Sequence, residues 1–314
     1  MTFPAFSEEP GRLRRVDPAA WGDDHVGKPL PAYITGDECL FCHRETGTRW
    51  GDNRHQLTLH LTRPDDFVVA TLRILNPDLA RETQYLLGSR RTARFVRRAK
   101  EYGKLDLLSI SFNSETLALQ QTTSPTWDTK TFADRCAGCH TTAVDTATRA
   151  FSAVSLDCFV CHGDVDLAHT KDKTCVLLSD KNRAPREVVS ICGQCHLRGG
   201  KSKSTSLPYP NTFVAGDNLF RDFQVDFSDA SLEALPAIDQ HIYLNARDIA
   251  VFDRAATTCL TCHDVHRQSS EKHQQLADAA ICSSCHVAGS NNRELRDAVL
   301  PINRRQAHRR ICDF

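Results

Sequence analysis

No run of apolar residues in this 314-residue chain approaches the ~20 that a membrane-spanning helix needs, so the chain is not expected to cross a bilayer. Net charge is also lacking. The 39 basic residues balance the 39 acidic ones, which argues against nucleic acid or another polyanion as a partner. The start, Met1-Thr-Phe-Pro-Ala-Phe-Ser-Glu-Glu-Pro, has no basic stretch followed by an apolar one, so no export signal is visible. Methionine is missing from the interior altogether, Met1 being the only one.

Cysteine and histidine are abundant, at fourteen each, and most are ordered into one pentapeptide. Its copies are Cys39 to His43 (with Cys42), Cys136 to His140 (with Cys139), Cys158 to His162 (with Cys161), Cys192 to His196 (with Cys195), Cys259 to His263 (with Cys262) and Cys282 to His286 (with Cys285). Chance would supply about 0.03 copies of C-x-x-C-H in such a composition, and the pattern is the attachment signature of c-type haem. Two thiols at this spacing each form a thioether to one vinyl group of a macrocycle, and the adjacent His becomes the proximal iron ligand. The rival reading is three zinc ribbons of two Cys-x-x-Cys pairs each. It leaves unexplained the His that follows all six pairs.

Six covalent haem c (heme c) groups in 314 residues predict a particular fold class. It is mainly α with low regular secondary structure, wrapped around a stacked haem array in place of a deep side-chain core, with a small β hairpin or sheet inserted. The 40% hydrophobic fraction suits such a wrapper. Residues 1–32 read as an N-terminal arm and 33–290 as the hexahaem domain. Within that domain fall a haem-free insertion over about 60–130 and a long loop over about 200–250, and 291–314 form a tail.

Locally, a helix is expected from Gly36-Asp37 with Asp37 as its cap, followed by Trp50 and His55. Asp66 to Leu72 reads as a strand, and Arg91 to Ala99 and Leu105 to Phe112 as two strands joined at Glu101-Tyr-Gly-Lys. The basic run Arg90, Arg91, Arg94, Arg97, Arg98 and Lys100 reads as a solvated face, with pairing to haem propionates left open. Pro185 and Gly199-Gly200 bracket a helix over Arg186 to Arg198, a second is expected over Ala277 to Val287, and a short one near Ala237 to Arg247.

Each iron has a sixth position, and with no internal Met the candidates are the histidines outside the pentapeptides. In order of preference these are His55, His169, His266, His241, His308, His273, His60 and His25. Eight candidates for six positions predict mostly bis-His haems, which transfer electrons and leave no place for a substrate. His266 lies three residues after His263, so the two can serve neighbouring irons. Motif spacings of 22 and 23 residues, for Cys136 to Cys158 and Cys259 to Cys282, predict haems in direct contact within a continuous chain. Cys175 and Cys312 read as a disulfide or two buried thiols, with thiolate ligation of one iron as the sharper alternative.

With these residues placed, the chain resembles the multihaem c-type cytochromes, in particular the branch of the tetrahaem electron carrier of ammonia oxidisers. The resemblance runs from about Tyr33 to His286. It rests on Tyr33-Ile-Thr-Gly with the first motif, Trp50 and His55; on Leu87-Gly88-Ser89, Tyr102-Gly-Lys-Leu and Trp127; on Cys136-Ala-Gly-Cys-His-Thr-Thr; and on Cys161-His-Gly with His169. Arg198-Gly199, Pro208-Tyr-Pro, Phe213, Gly216 and Cys262-His-Asp-Val-His266 complete it. It implies a stacked-haem conduit with His55, His169 and His266 as distal ligands. The chain departs from the branch in having six motifs against four, and in Gly163-Asp-Val-Asp before His169. The function expected is electron exchange with redox partner proteins in the periplasm or outside the cell. The alternatives are a reductase or oxidase of a small nitrogen or sulfur compound at one open haem, and a subunit of a homo-oligomer or extracellular filament.

Overall fold

The computed structural model describes residues 24–88, 92–120, 124–165, 167–171, 184–254 and 258–266. The elements are α1 (Gly36–Cys42), α2 (Arg44–Trp50), β1 (Leu59–Leu61), α3 (Phe67–Leu75), α4 (Pro77–Glu82), β2 (Tyr85–Leu87), β3 (Thr92–Arg98), β4 (Leu105–Asn113), β5 (Ala118–Gln120), β6 (Trp127–Asp128), α5 (Thr129–Arg135) and α6 (Ala137–His140). They continue with β7 (Thr141–Thr142), β8 (Ala153–Val154), α7 (Cys158–His162), α8 (Pro185–His196), β9 (Lys201–Ser202), β10 (Phe223–Gln224), α9 (Asp229–Ala234), α10 (Ala237–Ala250) and α11 (Cys259–Cys262).

The expected hairpin is present as β3 and β4, turned at Glu101 to Lys104 through Gly103 at φ +72°. It is the centre of something larger, an antiparallel sheet in the order β1-β2-β3-β4-β5 with β6 also paired to β4. Strand β4 carries buried apolar residues on both faces in its first half, where both are covered, and alternates apolar with polar from Leu108 onward. On one face Leu86, Phe95, Leu108, Ile110 and Phe112 pack with Val69, Leu72 and Ala80 of α3 and α4. On the other, Leu59, Tyr85, Val96, Leu105 and Leu107 pack with Phe132 of α5 and Ala137 of α6, so the sheet bears directly on the second Cys-x-x-Cys-His motif.

Four expectations need correction. Asp66 to Leu72 is helical: the β-branched Val68, Val69 and Thr71 suggest a strand, but burial falls on Val69 and Leu72, three apart, as one helical face against the sheet requires. The cap of α1 is Thr35, whose hydroxyl accepts from Glu38 N while the Glu38 carboxylate accepts from Thr35 N. Asp37 falls inside the first turn, where its charge meets the positive end of the helix. Helix α8 begins at Pro185 but ends at His196 with Leu197 as cap; Gly199 and Gly200 serve the next turn instead, Gly200 N donating to Leu197 O. Finally, the chain does not leave core-building to bound groups. Residues 200–250 carry the helix expected near Ala237 to Arg247, seen as α10 over fourteen residues, and the chain before it packs Leu219, Phe220, Phe223 and Phe227 with α8 and α10 in a third apolar cluster.

The basic run is more engaged than a solvated face. Arg97 pairs with Glu82 and Asp106 and lies over the Trp127 ring at 4.5 Å, and Arg98 Nε donates to the Tyr85 hydroxyl at 3.0 Å. Arg90 and Arg91 lie outside the described residues, as do Cys175, Ala277 to Val287 and Cys312.

Phe132 is 1% exposed, touches Phe151 with ring centres 6.3 Å apart and joins sheet to motif. Phe132→Ala is expected to cost about 3–5 kcal/mol. Denaturant unfolding of the matured protein measures this, and an unchanged midpoint would show that the sheet does not brace the second motif.

Candidate functional site

Five of the six motifs fall in the described residues, each on or at the end of a short helix, because C-x-x-C-H needs one helical turn to present two thiols and an imidazole together. The first occupies the end of α1, with His43 at its C-terminal cap. The second straddles α5 and α6. Gly138 is required there, since a Cβ would lie 2.1 Å from the ring of Tyr209, whose hydroxyl donates to Ala133 O at 2.7 Å. The third is α7 and closes on Gly163 at φ +64°, in the left-handed region that favours glycine. The fourth ends α8. The fifth is α11, capped by Thr258 and Thr261, and His263 follows it in extended conformation.

Asp157 locks the first motif to the third. It caps α7 by accepting from Cys158 N, and also accepts from the Tyr33 hydroxyl and, at 2.9 Å, from Gly36 N at the start of α1. Burial, and then the Asp157 carboxylate, raise the Tyr33 phenol well above its ordinary range, so it stays a donor.

Thiols of different motifs lie side by side: Cys158 beside Cys39, Cys195 beside Cys139 and Cys192 beside Cys259. Gln194 Nε2 of the fourth motif reaches Val160 O of the third at 3.4 Å. The motifs therefore adjoin as first to third, third to fourth, second to fourth and fourth to fifth, with α8 at a branch point. Two of these four contacts join motifs that are consecutive in sequence and two do not. Cys282 and Cys285 lie outside the described residues.

Burial pushes Cys136 and Cys161 up to about 11 and, helped by Asp157, Cys158 up to about 12. Cys192 and Cys195 are raised by the thiols beside them, Cys259 and Cys139, and then by burial. A thioether, being uncharged, suits the buried members of this set. Among the described residues no three His, Cys, Asp or Glu side chains converge as an all-protein metal site requires.

The imidazoles are arranged in pairs. His43 faces His169 with ring centres 6.1 Å apart and planes 15° from parallel; His162 faces His266 at 6.1 Å and 4°; His196 faces His55 at 6.2 Å and 77°. A metal–imidazole bond is about 2 Å, and with ~1 Å from ring nitrogen to ring centre on each side, trans ligands on one metal stand about 6 Å apart. Rings in van der Waals stacking would sit closer. Loss of surrounding water and then the neighbouring His55, Arg198, His263 and His241 push His196 down to about 4, though its side chain still reaches solvent. Burial likewise lowers His55 and His140, keeping them neutral as metal ligation demands. Sulfur, nitrogen and separation all fit haem c.

His241 lies on α10 one turn before Asn245, whose Oδ1 accepts from the Cys259 thiol at 3.9 Å. His60 Nδ1 meets Leu57 O at 2.9 Å, and His25 Nδ1 meets Asp217 at 2.8 Å. His273, His286 and His308 lie outside the described residues. Two supporting residues escaped the sequence reading. Asn53 Oδ1 accepts from His55 N and meets His55 Nδ1, and Thr58 Oγ1 meets His140 Nδ1 at 2.6 Å. For Asn53 a signal existed, since an Asn two residues before a candidate ligand is the signature of an Asx turn.

Among the described residues no helix is long and apolar enough to cross a membrane. The sequence matches no family model and no curated protein. The structure is similar to the outer cell wall cytochrome OcwA, at 19% identity and a TM-score of 0.55 over 82% of this chain and 67% of that one. It also resembles, more loosely, the undecahaem cytochrome from the S-layer of Carboxydothermus ferrireducens, at 18% identity and a TM-score of 0.48 over 84% of this chain and 44% of that one. The first likeness shows that this chain has a multihaem cytochrome fold.

Asp157→Ala is expected to cost about 2 kcal/mol, from a lost helix cap and a stranded Tyr33 hydroxyl. Tyr33→Phe is expected to cost about 1 kcal/mol. Equal unfolding midpoints for Asp157→Ala and the parent would remove Asp157 as the tie between the motifs.

Proposed function

We propose that this chain is an electron-transfer protein of the multihaem c-type cytochrome class, holding six covalently attached haem c groups and exchanging electrons with redox partner proteins outside the cytoplasm. The observation that carries the reading is the set of three imidazole pairs at 6.1, 6.1 and 6.2 Å, each joining a pentapeptide His to a His from elsewhere in the chain. The thioether residues are Cys39, Cys42, Cys136, Cys139, Cys158, Cys161, Cys192, Cys195, Cys259, Cys262, Cys282 and Cys285, and the proximal ligands His43, His140, His162, His196, His263 and His286. The distal partners are His169 for His43, His266 for His162 and His55 for His196. His241 goes to His263, because His241 shares a face of α10 with Asn245, which touches the fifth motif.

Haem c supplies a one-electron iron couple. The residues of the chain would do the rest: the pentapeptide thiols would fix each group to one helical turn, and the paired neutral imidazoles would hold its iron from two sides, so that a change of charge would need little side-chain movement. Contact between the thiols of different motifs keeps the attachment points close, and α8 joins three others. A location outside the cytoplasm follows from the attachment chemistry and from the cell-wall origin of the similar structure. A second reading, catalysis at one open iron, attaches to His140, opposite which no described imidazole stands at pairing distance.

Produced with a haem-attachment system, the protein is expected to exceed its bare 35.1 kDa by six haem masses. Low-temperature electron paramagnetic resonance then tests the pairing. Near-parallel ligand planes split the iron d orbitals and give rhombic low-spin signals, expected twice, from the His43 and His162 pairs. Crossed planes leave those orbitals nearly degenerate and give a single dominant high-g feature, expected from the His196 pair. A polypeptide of unmodified mass would overturn the reading, and a high-spin ferric signal equal to one haem would move it to the catalytic alternative.

A further inference from the structure

Asn53 is fully buried, 0% exposed, and its side chain serves two distal-ligand segments at once. Its Oδ1 accepts from His55 N at 2.8 Å and stands 3.1 Å from His55 Nδ1; its Nδ2 donates to Val265 O at 2.8 Å, next to His266. The amide cannot be reversed. A backbone N–H only donates and a carbonyl only accepts, so Oδ1 must face His55 and Nδ2 must face Val265. An amide oxygen cannot donate, so His55 Nδ1 carries the proton and Nε2 keeps the lone pair that ligates metal. Trp50, in the same short segment, lies parallel to His55 with ring centres 6.1 Å apart and meets His266 edge-on at 6.5 Å. Its Nε1 is anchored on Gln56 Oε1 at 2.8 Å, which leaves Asn53 as the polar link between the two ligands.

We propose that Asn53 is a shared positioning residue for two irons, fixing the tautomer and basicity of His55 opposite His196 and the placement of His266 opposite His162. The inference rests on the pairing proposed above. Its physical content is that one amide tunes two sites in a way that no change at either pentapeptide can, because hydrogen bonding to the outer nitrogen of a metal-bound imidazole sets its donor strength. The two effects have separate origins: Oδ1 acts on His55 electronically, and Nδ2 acts on His266 by holding the backbone beside it.

The test uses the matured, haem-loaded protein with Asn53→Ala, Asn53→Asp and, as a one-site control, Thr58→Val beside His140. Spectroelectrochemical titration is combined with electron paramagnetic resonance. Asn53→Ala removes the acceptor from His55, weakens that ligand and is expected to raise the potential of the site with crossed planes. Asn53→Asp offers an anionic acceptor, strengthens the ligand and is expected to lower it. Both variants lose the donor to Val265 O, so one rhombic signal shifts in each while the His43 signal stays. Thr58→Val is expected to leave all three signals in place. Opposite shifts cannot come from loosened packing alone, and Asn53→Asp keeps the question answerable should Asn53→Ala fail to mature. Unchanged potentials and signals in both variants, or a change confined to one site, overturn the shared role. Absence of the crossed-plane signal from the parent protein overturns the pairing instead.

Discussion

Three pairs of imidazoles drawn from distant parts of the chain must be held about 6 Å apart, and most of the rest of the structure answers to that constraint. A fixed gap between two side chains needs rigid support behind each. Every pentapeptide His in the described residues ends or follows a helical turn that a polar cap or an apolar cluster holds in place. Their ring partners are on weaker elements, a 3₁₀ turn for His169 and irregular chain for His55 and His266, and there hydrogen bonds substitute for regular structure.

The sheet belongs to the same logic. It contributes no pentapeptide, yet through Phe132 and Ala137 one of its faces supports the second motif, and Asp106 on β4 accepts from Thr129 at the start of α5. The third apolar cluster does the equivalent for α8, packing Val189 and Leu197 against Phe220, Phe223 and Tyr243. The pentapeptide helices thus have ordinary side-chain cores on either side of them, and these allow each short helix to stay formed at a length that would be marginal alone.

How much of this was legible beforehand depended on whether the signal was local. The pentapeptides are read from five consecutive residues, and the β3–β4 hairpin from two runs flanking Tyr102-Gly103. His55, His169 and His266 were singled out by the resemblance of their surroundings to other cytochromes. Which imidazole faces which could not be read, because the pairing is purely tertiary. The same holds for Asp157, whose partners Tyr33 and Gly36 lie more than a hundred positions away, and for Thr58 beside His140. Helix α3 was misread because β-branched residues speak for strand when the surface they pack on is unknown. The Phe-rich cluster after α8 was misread because its rings are spaced without a helical or strand period.

The contact between sulfurs of different motifs also bears on how the molecule must be made. Cys39 meets Cys158, Cys139 meets Cys195 and Cys192 meets Cys259, and an oxidising compartment would join such neighbours. A polypeptide that collapsed to this shape with its thiols still unmodified would cross-link itself and block the positions it needs. On the proposed haem-binding reading, attachment would have to run ahead of folding, with each porphyrin fastened while its turn is still an open segment and the final contour drawn in only afterwards.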